Sequence, residues 1–217
     1  MCIRDRSECN RLAIEWFENK LSQTLSQIEE DFASYRISDA LMKAYRLFWD
    51  EFSGWLLEMI KPAYGAPADS TTLASVRSLF GRLMQMLHPF MPFLTEEIWQ
   101  DLAPRAAGES ICVSRMPVAG EIDETLLARF EFAKEVISHL RNLRKQKNLP
   151  NKEQLSLKVV ADVNYPSEYE PVIMKLANLS SIERIGERDA SSEAFIVKTT
   201  QYFVPLDGKI DVEEELK

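Results

Sequence analysis

The chain has 217 residues and a net charge of −8, and its 46% hydrophobic and 28% charged residues are the balance of an ordinary soluble globular protein able to bury a real core. That acidity argues against wholesale wrapping of nucleic acid while leaving room for a local basic face, because a protein's field follows where its charges lie. No apolar run approaches the about 20 residues needed to span a bilayer, so no membrane partner is expected. Cys2, Cys9 and Cys112 form no ligand pair, so reduced thiols and a cytoplasmic location are expected.

Met1–Ser7 has no apolar period, and residues 1–8 are read as a non-native leader outside the fold. From about Asn10 to Asp31, Leu12, Trp16, Leu21, Leu25, Ile28 and Phe32 recur every three to five positions, the stripe of an amphipathic helix. Ser38, with Asp39 behind it, is the expected N-cap of a second helix, which carries Leu41, Tyr45, Phe48, Phe52, Trp55 and Met59 inward and stops before Pro62. Residues 63–69 form a loop, and a third helix follows from Thr71 to Leu87 with Leu73, Val76, Phe80, Leu83 and Leu87 on one face.

A corner comes next. Pro89 cannot donate a backbone hydrogen bond and disfavours helix at His88, so the third helix should close there. Pro92 has the fixed φ suited to a first helical turn, and Glu96 and Glu97 lie near that helix's positive end. Phe90, Phe93, Ile98 and Trp99 are expected to wedge the corner into a core. The fourth helix ends before Pro104, residues 104–122 read as an irregular connection, and a fifth helix capped by Asp123 runs from Glu124 to Lys147.

After Pro150 the period changes. Leu155–Ala161 alternates like a half-buried strand, Pro166–Leu179 looks helical, and Ile182–Ile185, Ala194–Lys198 and Tyr202–Leu206 are strand candidates. Asp211–Lys217 begins a charged helix. The expected fold is therefore mainly α: a helical bundle over 9–148, a small α+β module over 149–210, and the start of a further helix over 211–217.

No enzyme constellation assembles from these residues. His88 and His139 have no ligand spacing to Cys, Asp or Glu, so no metal site is expected, and His88 is read as a packed or hydrogen-bonded side chain. No glycine-rich phosphate loop occurs among only seven glycines, which leaves no cofactor site in this chain. The pairs Glu29-Glu30 and Glu96-Glu97 point in different directions on their helices and are read as solvated faces or N-terminal charge.

Two features carry binding chemistry instead. The stretch 134–152 contains Lys134, Arg141, Arg144, Lys145, Lys147 and Lys152 against Glu135 alone. Lys134, Ser138, Arg141, Lys145 and Asn148 share one helical stripe, with Phe130, Val136, Leu140 and Leu143 opposite. Either this is a solvated face, or it contacts an RNA backbone through phosphates. In the second helix, Lys43 and Arg46 interleave with aromatics. Phe48, Phe52 and Trp55 are assigned to the core, whereas Trp49 lies off their stripe and is a candidate to stack an unpaired base. A helical module that docks partner helices in its apolar grooves is the alternative function.

The corner Leu87-His88-Pro89-Phe90-Met91-Pro92-Phe93-Leu94-Thr95-Glu96-Glu97-Ile98-Trp99-Gln100-Asp101 resembles that of the anticodon-binding bundle of class I aminoacyl-tRNA synthetases. Tyr35–Ala40 and Trp49–Glu58 look like that bundle's paired helices, and Tyr202–Leu216 is similar to the lead-in to a C-terminal coiled coil in the valyl branch, ahead of the isoleucyl and leucyl ones. Ser53 and Leu56 stand where the family usually has Cys and Tyr. The resemblance implies a C-terminal region that holds the anticodon stem and loop of tRNA(Val), with Lys43, Arg46, Trp49, Lys134, Arg141, Arg144, Lys145 and Lys147 as RNA contacts. It implies His88, Pro89, Phe90, Pro92, Phe93, Glu97 and Trp99 as the structural corner. In the family a monomeric ligase uses ATP to esterify valine to its tRNA through an upstream catalytic domain, whose HIGH and KMSKS signatures do not occur here, and an upstream domain edits mischarged product. The family's first bundle helix, of the form K-L-W-N-A-x-R-F, does not occur here either.

Overall fold

A computed structural model describes residues 7–160, 162, 165–186 and 192–206. Two compact units divide between Glu124 and Thr125. In the first, Ser7 caps helix α1 (Glu8–Ala33) by accepting from the Asn10 amide at 3.2 Å. Ser7 and Glu8 therefore belong to the fold; residues 1–6 lie outside the described residues. Leu12, Trp16, Phe17, Leu21, Leu25 and Ile28 form the buried stripe of α1.

The second helix is a continuous rod of three parts: α2 (Ile37–Arg46), a π-helical segment (Leu47–Leu56) and α3 (Leu57–Ile60), ended by Pro62. Its buried positions are Ala40, Ala44 and Leu47, then Phe52, Leu56 and Met59. The five-residue step from Leu47 to Phe52 is the extra residue of a π turn. It rotates the upstream half of the rod, so Leu41 and Tyr45 face solvent instead of the core as expected. Small Ala40 and Ala44 face inward in their place. Phe48 and Phe52 meet Phe80 at 6.2 and 5.6 Å between ring centroids, and Phe17 meets Phe52 at 5.5 Å. This aromatic cluster sits at the centre of the unit and matches the core assignment of Phe48 and Phe52. The rod starts two residues earlier than expected, with Arg36 rather than Ser38 at the cap position and no side-chain cap.

Helix α4 (Ser70–Leu87) is capped by Asp69, which accepts from the Thr72 amide at 2.6 Å. Leu79, Leu83, Met84, Met86 and Leu87 face in, while Leu73 is exposed, contrary to expectation. At the corner, the Phe90 and Met91 amides both donate to the Leu87 carbonyl, at 3.0 and 3.1 Å. Pro92 then opens α5 (Pro92–Leu102). Phe90 stacks on Phe32 at 6.0 Å, and Trp99 is buried beneath the Arg105 guanidinium, 3.4 Å from its ring centroid.

Two expected corner residues are corrected. Thr95 and Trp99, one turn apart, point inward, so Phe93, two residues before Thr95, lies on the other side of the helix and is 90% exposed. Glu97 is exposed as well, and Glu96 ties the corner instead. It accepts from Gln100 Nε2 at 2.7 Å, Ser110 Oγ at 2.7 Å and the Ile111 amide at 3.0 Å, fastening the connection after α5 back onto that helix.

The hydrogen bonds from Gln100 and Ser110 hold the Glu96 carboxyl below the usual carboxylate range. A depressed carboxyl stabilises the fold above its unfolded-state value and loses that contribution as pH falls through its folded value. Thermal denaturation between pH 6 and pH 3 is therefore expected to show a larger fall in Tm for the unmodified chain than for Glu96→Gln. Equal pH slopes would show that these bonds do not couple to folding.

The second unit begins with α6 (Glu124–Gln146), which buries Phe130, Ala133, Val136, Ile137 and Leu140. The sheet has the order β2-β1-β4-β3, from β1 (Leu155–Val160), β2 (Leu179–Ile185), β3 (Glu193–Val197) and β4 (Thr200–Val204). A crossover through α7 (Glu170–Ala177) makes β1 and β2 parallel, while β4 pairs antiparallel with both β1 and β3. The alternation read in the sequence is borne out: Leu155, Leu157 and Val159 are buried. The mainly α fold with a small α+β module is as expected, but the expected break after residue 148 is not where packing divides. Phe130 meets Tyr169 edge-on at 5.2 Å and His139 stacks on Phe195 at 5.4 Å, so α6 packs with the sheet's unit. The helix expected over 211–217 lies outside the described residues.

Candidate nucleic-acid interface

The predicted RNA contacts fall on both units and separate into outward and inward groups. In the first unit, Trp49 is 60% exposed and stacks on the equally outward Tyr45, with 6.5 Å between centroids and 9° between planes. Ser38, Met42, Tyr45 and Trp49, spaced four, three and four, are all exposed and form one outer stripe of the rod. Tyr35 is exposed just before the rod. Arg46 is exposed beside this stripe. Sequence reading missed Tyr45 because it assumed one uninterrupted α period through Phe52. The pair Ala40 and Ala44, which buries little surface yet lets helices approach closely, was the available signal.

Lys43 has a different role from the one expected. Asp31 on α1 is completely buried, and Lys43 Nζ pairs with its Oδ2 while an Arg36 guanidinium nitrogen lies 2.7 Å from Oδ1. Lys43 is thus engaged in holding α2 to α1 and is withdrawn from the set of phosphate contacts.

In the second unit, Arg144 is 4% exposed. Its guanidinium donates to the carbonyls of Glu153 at 2.8 Å, Ala177 at 2.9 Å, Asn178 at 3.0 Å and Pro150 at 3.3 Å. Burial lowers its pKa from the ordinary arginine value, and the Glu153 carboxylate opposes that shift. Arg144 is therefore a clamp inside this unit, not an RNA contact. Helical geometry explains the miss: Leu140, Leu143 and Arg144 share the inner face, and carbonyls from the loop after α6 and from the end of α7 give an inward arginine its partners.

Lys134 is also largely covered, with its side chain 12% exposed and its amine 3.0 Å from Glu131. What remains outward is Arg141 and Lys145, one turn apart, together with Ser138 and Asn148, while Lys147 is half-buried. An Arg141 guanidinium nitrogen lies 3.4 Å from the Leu176 carbonyl, which steers the fork along the end of α7. This surface presents two exposed cations one turn apart, the arrangement that takes sequence-independent phosphate contacts.

The corner histidine is a bridging element. The Thr95 hydroxyl donates to the Met91 carbonyl at 2.8 Å, so it accepts from His88 Nδ1 at 2.7 Å, leaving His88 Nε2 to accept from the Cys112 thiol at 3.2 Å. His88 is hydrogen-bonded in the corner, as expected. Among the described residues, no group of three or more His, Cys, Asp or Glu side chains is placed to hold a metal ion, and no helix is long and apolar enough to cross a membrane.

Residues 15–160 match the family model described as the anticodon-binding domain of tRNA ligase, a span running from α1 through β1. The chain is 46% identical to the valine–tRNA ligase of Parabacteroides distasonis and 48% identical to that of Phocaeicola vulgatus, each over 209 residues. These alignments cover 96% of this chain and 24% of either relative, so the chain spans about a quarter of their length. A more distant relative, the valine–tRNA ligase of Thermotoga maritima, is 28% identical over 204 residues, 93% of this chain and 23% of that protein.

Proposed function

The chain belongs to the family of anticodon-binding domains of tRNA ligases, and from that premise we propose that it grips the anticodon stem and loop of tRNA(Val) as the C-terminal part of a valyl-tRNA synthetase. The observation that carries this reading is the exposed, mutually stacked Tyr45–Trp49 pair, because a fixed aromatic face outside the core is a platform for an unpaired base. Arg46 beside it, and Arg141 and Lys145 on α6, supply phosphate contacts that set register without reading sequence. The mechanism is positioning: holding the loop fixes where the acceptor end of the tRNA arrives. The whole ligase would be a cytoplasmic, monomeric enzyme that joins valine to tRNA(Val) at the expense of ATP. This chain's residues serve that reaction by binding and orienting.

Anisotropy titration of a labelled tRNA(Val) anticodon stem-loop tests the reading. Micromolar or weaker binding that falls steeply with salt is expected. In the double variant Arg141→Ala, Lys145→Ala, the slope of log K against log salt should flatten by about 2, about one per lost phosphate contact. Preference for the cognate loop over an unrelated one should be unchanged. An unchanged slope would remove α6 from the interface, and salt-independent binding to both loops would overturn the reading as a whole.

A further inference from the structure

The corner of the first unit holds a thiol, an imidazole and a hydroxyl in series. Cys112 is exposed on the short turn Ile111–Val113, which the buried Ile111 anchors. His88 Nε2 lies 3.2 Å from its Sγ, and His88 Nδ1 lies 2.7 Å from the hydroxyl of Thr95, itself only 1% exposed. We propose that Cys112 is a site of reversible thiol modification, at which His88 takes the thiol proton while Sγ attacks a low-molecular-weight disulfide of the glutathione class. The inference is independent of RNA binding.

The proton inventory sets the direction of this relay. The Thr95 hydroxyl spends its one proton on the Met91 carbonyl at 2.8 Å, so it accepts from His88 Nδ1 and orients the ring. That tautomer leaves a lone pair on Nε2, facing the thiol. The thiolate, not the thiol, is the nucleophile, and a neutral imidazole beside the sulfur is the base that generates it. The imidazolium then formed has a counter-charge at hand. The Glu96 carboxyl, held low chiefly by hydrogen bonds from Gln100 and Ser110, also feels the charge of His88. Cys9, by contrast, is buried and points its thiol at the Met59 carbonyl, a group that cannot take up a proton. In the exchange, the Sγ electron pair forms a bond to the nearer sulfur as the S–S bond of the small disulfide breaks. The pair from that bond leaves on the far sulfur, which takes the proton from His88 Nε2 and departs as a thiol. Cys112 is thereby oxidised to a mixed disulfide, the departing half of the reagent is reduced, and the imidazole is restored. The modified sulfur has no proton to donate to His88, and excess small thiol reverses the reaction by the same exchange.

The test incubates the folded 217-residue chain with glutathione disulfide at neutral pH and follows the adduct at Cys112 by peptide mapping. That adduct is expected to form on the order of tenfold faster than at the same residue in urea, where no imidazole is held beside the sulfur. His88→Gln keeps a polar side chain that cannot take up a proton, so it should lose most of this advantage while keeping the circular dichroism of the unmodified chain. The urea comparison needs no variant, so it decides the question whether or not His88→Gln folds. A rate at Cys112 no faster in the folded chain than in urea would overturn the assignment. So would a folded His88→Gln variant that reacts as fast as the unmodified chain.

Discussion

Replacing the buried Arg144 by methionine is expected to destabilise the second unit by on the order of 3 kcal/mol. Methionine keeps most of the buried volume but supplies none of the donors that serve the carbonyls of Pro150, Glu153, Ala177 and Asn178. Hydrogen bonds to a charged donor contribute about 1.5–3 kcal/mol each, and buried carbonyls left without one bear a desolvation penalty. Partial relaxation of the loop after α6 offsets part of the sum. Arg144→Lys retains the charge as a compact ammonium that cannot span the same fork, so roughly half the loss should remain. Urea denaturation followed by circular dichroism measures both. A loss under about 0.5 kcal/mol for the methionine variant would mean that water serves those carbonyls equally well.

Trp49→Ala should do the reverse, weakening RNA binding with little effect on the fold. Base stacking on an aromatic side chain is worth about 1–3 kcal/mol, so the affinity for the anticodon stem-loop should fall on the order of tenfold. Because the indole is mostly exposed and its one aromatic neighbour among the described residues is Tyr45, Tm should move very little. Trp49→Phe keeps a π face and should recover most of the affinity. The salt slope should stay as in the unmodified chain, which separates loss of stacking from loss of phosphate contacts. Affinity equal to that of the unmodified chain would place the RNA elsewhere on the molecule.

Much of this architecture was legible in the sequence because local rules acted without competition. Pro89 and Pro92 fix the turn from α4 to α5 through missing donors and a locked φ, and the Leu155–Val160 alternation reports a sheet with one buried face. The errors have physical causes of equal clarity. A stripe traced backward from Phe52 put Tyr45 in the core, because the large apolar residues outweighed the small Ala40 and Ala44 that marked the true inner face upstream of the π turn. The basic run on α6 was read as one face, yet a cation enters a core when enough carbonyls converge on it, as they do at Arg144 from segments distant in sequence. Lys43 was read as an RNA contact because its partner, Asp31, belongs to another helix. Such long-range partners lie beyond any helical period.

The five-residue step between Leu47 and Phe52 has a consequence for how this protein changes over time. It works as a gear tooth set one place out of line: on one side of it the rod turns Tyr45 to solvent, and on the other it turns Phe52 to its own interior. Evolution could therefore vary the exposed Tyr45 and Trp49 without disturbing the packing of Phe52 against Phe80. A single-residue deletion within the segment would instead exchange the two surfaces, in a change that no survey of individual substitutions would reveal.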